Sequence, residues 1–115
     1  LFKKRSEQEE AWKRVEAIGD LEVTGALDMN IEVNAGGVHK GRALCWLAER
    51  LGMDREEVMA FGDGSNDLKM IEEAGIGVAM ANAIQPVLDA ADLTALSNNE
   101  DGVARTIEEY VLSMY

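Results

Sequence analysis

Apolar residues follow two different rhythms along this chain, and the change falls close to residue 35. Before it, Leu27, Met29, Ile31 and Val33 alternate with Asp28, Asn30, Glu32 and Asn34, the period of a strand with one exposed face. The spacing predicts a strand over 27–34 in an antiparallel sheet, after another over 21–26. A charged helix over 3–18 precedes both, with a thin stripe of Ala11, Val15 and Ile18 and with Trp12 beside it. The polar face of the 27–34 strand is expected to meet solvent, a substrate being the alternative.

Beyond residue 35 the apolar runs are short and unbroken. Val58–Phe61, Ile76–Met80 and Leu93–Leu96 read as strands buried on both faces. Helical spacing fills the intervals. Ala43, Leu44, Leu47, Ala48 and Leu51 should face inward from a helix over 40–51 that ends at Gly52. Asp54 caps a short turn. Leu68, Ile71 and Ala74 mark a helix stopped by Gly75, and Pro86 lies near the start of a helix that opens around Ala81. Val103, Ile107, Tyr110, Val111 and Met114 align on a closing helix over 103–114. Strands alternating with helices predict an α/β fold with βαβ units. Three or four parallel strands are expected over 38–115, with Val58–Phe61 internal. Ala35-Gly36-Gly37-Val38 is the boundary, giving one unit over 1–35 and a second over 36–115.

Composition narrows the range of functions. A chain of 115 residues that is 47% hydrophobic supports one modest core, and a net charge of −11 argues against nucleic acid and anionic membranes as partners. No run is long enough to cross a bilayer. The single cysteine, Cys45, excludes an internal disulfide and fits a cytoplasmic location. Beside Trp46 in a helix, it is expected to serve packing.

Chemistry concentrates just after the Val58–Phe61 strand. Gly62-Asp63-Gly64-Ser65-Asn66-Asp67 sets two carboxylates four apart beyond a strand's carboxyl end, where open α/β sheets bind ligands. Such a pair suits a hard divalent cation such as Mg²⁺. The two glycines would allow a sharp turn or close approach to a ligand. A dinucleotide fingerprint would need glycine where Asp67 stands, a P-loop would need Gly-Lys-Ser/Thr, and an EF-hand would need glycine at Leu68 and glutamate at Ala74. The bland alternative is that Ser65 or Asn66 caps the next helix while the acids decorate its positive end; capping is expected in either case. Lys40 stands at a helix start, an electrostatically poor place for a cation, and a bound phosphate would explain it. His39 is expected to be a loop histidine rather than a catalyst.

Four stretches now stand in order: Gly37-Val38-His39-Lys40-Gly41, Phe61-Gly62-Asp63-Gly64-Ser65-Asn66-Asp67, Gly77-Val78-Ala79-Met80-Ala81-Asn82-Ala83 and Asn98-Asn99-Glu100-Asp101-Gly102-Val103. Together they make nearly the whole chain resemble the C-terminal part of a Cof-type phosphatase of the haloacid dehalogenase superfamily. The resemblance implies a Rossmann-like core, a mobile α/β cap and Mg²⁺-dependent hydrolysis of phosphorylated small molecules through an aspartyl-phosphate. It makes Lys40 the residue that neutralises phosphoryl group and nucleophile, and Asp63 and Asp67 the Mg²⁺-holding pair, Asp63 most directly. Asn66 would support phosphate and metal, and Asn82 would take a secondary place in the phosphate site. Residues 1–35 would be the end of the cap, and Gly36-Gly37 the hinge to the core.

The family's nucleophile lies in an Asp-x-Asp-Gly loop near the amino terminus, and no such loop occurs in these residues. The expectation is a fragment that is inactive alone, completed by an amino-terminal segment of the same protein, with homodimerisation as a further expectation. The competing expectation is a catalytically degenerate domain that stands alone and binds Mg²⁺, phosphate or a protein partner.

Overall fold

The computed structural model describes residues 1–25 and 28–115. Helix α1 spans Arg5–Glu16, and strands β1 (Leu21–Thr24) and β2 (Glu32–Ala35) pair antiparallel in a sheet of their own. The second strand is shorter than its alternation predicts. Asp28 and Met29 lie in a turn, with Met29 at a φ of 62°, so the apolar–polar rhythm began before the strand did. Ala26 and Leu27, which the two predicted strands included, lie outside the described residues. Ile18 falls beyond the end of α1 and is 73% exposed, so the predicted stripe does not extend to it.

After the boundary come α2 (Lys40–Leu51), β3 (Met59–Gly62), α3 (Leu68–Glu73), β4 (Ile76–Met80), α4 (Gln85–Ala90), β5 (Leu93–Ala95) and α5 (Gly102–Tyr110). The β3-β4-β5 strands form a parallel sheet flanked by helices. The α2 boundaries match the sequence reading, with Gly52 in the left-handed region at a φ of 69° as its C-cap. Asp54 caps the turn at Arg55–Glu57, exchanging bonds with Glu57.

One expectation fails here. Strand β3 was expected inside the sheet, but among the described residues it is an edge, and β4 is the central strand. Burial on both faces says nothing about whether a strand has neighbours on both sides, and an unbroken apolar run reports only the first.

The core lies on both faces of β4. Ile71, Ala79 and Val87 pack with Leu68 and Leu88 on one face; Val78, Met80 and Ala95 pack with Met59, Phe61 and Leu93 on the other. Val78 and Val87 are fully buried, each contributing roughly 1.5–3 kcal/mol through removal of apolar surface from water. Helix α5 departs from its predicted stripe: Val103 and Tyr110 are exposed, and the buried positions are Gly102 and Thr106, whose hydroxyl donates to the Gly102 carbonyl.

Helix α2 also presents less to the core than predicted. Its buried positions are Gly41 and Ala48, while Leu47 and Leu51 are 50% and 63% exposed. They line an apolar groove of about 560 Å³ with Ala43, Met53, Val58 and Met59, running alongside β3. Gly41 is where α2 meets α3. A Cβ there would stand 2.5 Å from the Lys69 carbonyl oxygen, which is backbone and cannot swing aside. Gly41→Ala is therefore expected to lower the stability by about 1–3 kcal/mol, the usual cost of overpacking, read from the urea midpoint.

Candidate active site

The sheet delivers its chemistry at one end. Strand β3 stops at Gly62, and the chain turns through Asp63 and Gly64 into a single helical turn, Ser65–Asp67, that leads directly into α3. The loop is held by Asp67, which folds back on it. One carboxylate oxygen, Oδ2, accepts from the backbone N–H groups of Asp63 and Gly64 at 3.0 and 3.1 Å. The other, Oδ1, accepts from Lys40 Nζ at 2.5 Å. Asp67 is 7% exposed, so both oxygens are committed inside the protein.

Gly62 is required by this arrangement. A Cβ at that position would come within 2.5 Å of the Asp67 Cβ. The glycine makes room for the folded-back aspartate, rather than for a sharp turn or a ligand as its sequence context suggested. The capping expectation is also corrected. No side chain caps the start of α3. The Ser65 hydroxyl instead accepts from the Gly25 N–H at 3.0 Å and donates to the Gly25 carbonyl at 2.8 Å, while the Asn66 amide donates to Glu32 at 3.3 Å.

Lys40 opens α2, where a positive charge meets the positive end of the helix. The Asp67 carboxylate compensates it, so the lysine has an intramolecular reason to be there. His39 occupies the N-cap and its Nδ1 accepts from the Arg42 N–H at 3.1 Å, which makes it a helix-start residue. Asp63 is exposed, and its carboxylate accepts from the Asn82 amide at 3.4 Å. Asn82 Oδ1 in turn accepts from the Asn98 N–H at 3.3 Å, joining the loops after β4 and β5. Lys40, Asp63, Asn66, Asp67 and Asn82 are thus linked around one loop at the carboxyl end of the sheet. Cys45 meets α3, its thiol donating to Glu73 at 3.6 Å, and Glu73 also pairs with Arg55.

Sequence reasoning missed three contributors, Glu22, Glu32 and Lys69. Lys69 donates to both oxygens of Glu22 at 2.8 and 2.7 Å, and this hydrogen bond holds the Glu22 carboxyl below its ordinary value. The alternation that set Glu32 on a polar face was the available signal.

Burial alone would raise the Asp67 pKa. The hydrogen bond from Lys40 and the two from backbone N–H groups outweigh it and hold the carboxyl below its ordinary 3.8. A depressed folded-state pKa means that the unfolded chain binds this proton more tightly. The stability contributed by Asp67 is therefore complete above the unfolded value and vanishes as pH falls through the lower folded one. The stability gap between the native chain and Asp67→Asn should shrink steadily between about pH 5 and about pH 2 in urea unfolding. A gap that does not change over that range would contradict this account.

A family profile described as haloacid dehalogenase-like hydrolase matches residues 1–107. The chain belongs to this family. It is 50% identical over 93 residues to a 5-amino-6-(5-phospho-D-ribitylamino)uracil phosphatase of Bacillus subtilis, covering 81% of the chain and 37% of the relative. With an Escherichia coli phosphatase of the same name it shares 42% identity over 99 residues, covering 82% of the chain and 35% of the relative. Among solved structures, a haloacid dehalogenase-like hydrolase from B. subtilis superposes with a TM-score of 0.89 at 37% identity, over 96% of this chain and 39% of that one. A haloacid dehalogenase subclass IIB sugar phosphatase superposes with a TM-score of 0.83 at 32% identity, over 90% and 40% of the two chains. The chain spans little more than a third of the length of these relatives. The resemblance carried by the four motifs holds at the level of the family, and the relatives just named are phosphatases.

Proposed function

We propose that the protein to which this chain belongs is a Mg²⁺-dependent phosphomonoester hydrolase acting on phosphorylated small molecules, and that these residues supply its lysine, its acidic loop and part of its cap. The single observation that carries the reading is the Lys40–Asp67 pair, which aims a cation at a carboxylate-bearing loop at the carboxyl end of a parallel sheet. Residues 1–35 fit the end of the cap, because they form a separate antiparallel sheet joined to the core through Gly36 and Gly37.

Among the described residues no three acidic, histidine or cysteine side chains gather into a cage. Mg²⁺ does not require one, since it commonly binds through one or two carboxylates with waters and substrate phosphate completing its shell. The donor set here fits that habit. Asp63, exposed and touched by Asn82, is the carboxylate that would hold the ion, with Asp67 fixing the loop behind it. The bound ion supplies charge neutralisation at phosphoryl oxygens. Lys40 adds a second positive charge, held in place by Asp67 before any substrate arrives. Asn66 and Asn82 offer amide groups at the rim of the same site.

The edge of β3, unpaired among the described residues, and the apolar groove beside it support completion of the core by a further segment, the part expected to bring the nucleophile. The names of the relatives, a phosphatase of a phosphoribityl compound and a sugar phosphatase, support a small phosphorylated substrate. The test is phosphate release by the full-length protein from a panel of small phosphomonoesters. Turnover should depend on Mg²⁺ and stop on chelation with EDTA. Turnover indifferent to chelation, or none on any ester with Mg²⁺ present, overturns the reading.

A further inference from the structure

Strands β3 and β4 run parallel with Gly62 opposite Ala79, so the loops that leave them emerge side by side. The loop after β4 holds Asp63 twice. The Ile84 N–H donates to the Asp63 carbonyl at 2.9 Å, and the Asn82 amide donates to Oδ2 of the Asp63 carboxylate at 3.4 Å. The Asp63 N–H already donates to Asp67, so both backbone groups of this residue and one oxygen of its side chain have partners. Its Oδ1 takes no hydrogen bond from the described residues and is the oxygen left for a cation.

The Asn82 amide has one way to face. The Asn98 backbone N–H can donate but not accept, so the oxygen of Asn82 turns to it, at 3.3 Å, and the NH₂ group turns to Asp63. Asn98 is held in its turn. It opens the helical turn Asn98–Glu100, where the Ser97 hydroxyl donates to Glu100 Oε2 at 2.6 Å and the Arg105 side chain of α5 donates to the Glu100 carbonyl at 3.0 Å. The neutrality of Asn82 matters as much as its place. Asp67 is oriented by Lys40, whose charge would compete with a metal ion for the same carboxylate. An amide orients a carboxylate without bringing such a charge.

We propose that Asn82 is a positioning residue for the metal ion. Anchored by the Asn98 N–H, it fixes the exposed Asp63 carboxylate in the orientation that receives Mg²⁺, and it touches neither the ion nor the phosphate. The proposal rests on the reading of Asp63 as the carboxylate that holds Mg²⁺. It moves Asn82 away from the place in the phosphate site that motif order implied. An exposed carboxylate is free to rotate, and a hydrogen-bonding partner behind it raises metal affinity by removing that freedom before the ion arrives.

The test measures the Mg²⁺ affinity of the full-length protein by titration calorimetry without phosphate, so the readout does not depend on turnover. Asn82→Ala should weaken Mg²⁺ binding about tenfold, the low end for loss of such a partner, because bonds of 3.3 and 3.4 Å are long ones. Asn98→Pro removes only the anchoring N–H, at the first position of a helical turn, where proline is accommodated. It should weaken Mg²⁺ in the same direction by less. Affinity for inorganic phosphate at saturating Mg²⁺ should stay the same in both variants, and their urea midpoints should match the native one. Native Mg²⁺ affinity in folded Asn82→Ala overturns the proposal, and so does a loss confined to phosphate, which would put Asn82 on the phosphate itself. If Asn82→Ala does not fold, Asn98→Pro decides, and unchanged Mg²⁺ affinity there overturns the proposal. Asp63→Asn separates the two readings. If it weakens Mg²⁺ and Asn82→Ala does not, the positioning role falls and the metal site stands. If Asp63→Asn binds Mg²⁺ as tightly as the native protein, the metal reading fails and the positioning role goes with it.

Discussion

Lys40→Ala in the full-length protein should reduce kcat/KM on every phosphomonoester by about 10²–10³-fold, the scale of loss when one preorganised charge-stabilising group is removed. The lysine is worth this much only because it is held in place. Its ammonium lies 2.5 Å from Asp67, and Asp67 is itself pinned by the N–H groups of Asp63 and Gly64. Lys40→Arg should recover little, since a planar guanidinium cannot occupy the place of a compact ammonium against the same oxygen. Lys40→Ala also leaves a buried carboxylate one partner short, at a cost of about 1–3 kcal/mol, so thermal unfolding must accompany the kinetics. The two acids should then separate cleanly. Asp63→Asn should weaken Mg²⁺ binding in titration calorimetry with little change in stability, because its carboxylate is exposed. Asp67→Asn should cost stability first and activity through Lys40. Equal Mg²⁺ affinity in the native protein and Asp63→Asn would show that the ion is held elsewhere.

The 115 residues alone should hydrolyse an aryl phosphate no faster than a buffer containing Mg²⁺. A carboxylate nucleophile divides phosphoryl transfer into two easier steps, and positive charge around the phosphate does not replace it. Both acids beside Lys40 are already engaged in other ways. Asp67 is enclosed by donors, and Asp63, exposed and accepting from Asn82, is the carboxylate proposed to hold Mg²⁺. Adding a segment with an Asp-x-Asp-Gly loop, fused or in trans, should restore turnover, and Lys40→Ala should remove it again. Without that segment the exposed edge of β3 and the groove lined by Leu47 and Leu51 should drive dimers or larger aggregates, visible by light scattering. Robust Mg²⁺-dependent turnover by the monomeric 115-residue chain would mean that the nucleophile lies within these residues.

The sequence made the order of elements legible because its signals were local. Gly52 in the left-handed region closes α2, α3 ends at Glu73 with Ala74 as its C-cap just before Gly75, and the run Ile76–Met80 is the strand β4 to the residue. Periodicity failed where partners were distant. Leu47 and Leu51 sit at inward spacing yet face a groove, and β3 reads as internal yet forms an edge, because helical and strand rhythms record which face is apolar and not what covers it. At the site, motif order placed Lys40, Asp63, Asn66, Asp67 and Asn82 on one loop system. It could not show that Asp67 spends both oxygens inside the protein, or that Glu32 reaches Asn66 across 34 positions of sequence. Those bonds exist only after the chain has folded.

Three of those long-range bonds share a pattern. Ser65 grips Gly25, Asn66 reaches Glu32, and Lys69 pairs with Glu22, so one loop and the first turns of one helix hold the hairpin at three points. The hairpin cannot swing away without loosening the segment that carries Asp63. By thermodynamic linkage, whatever tightens the loop must favour the docked hairpin, and whatever docks the hairpin must raise the affinity of the loop by the same factor. On the proposed reading, cation and substrate would in this way be coupled through the hairpin in addition to any direct contact between them, each binding more tightly in the presence of the other.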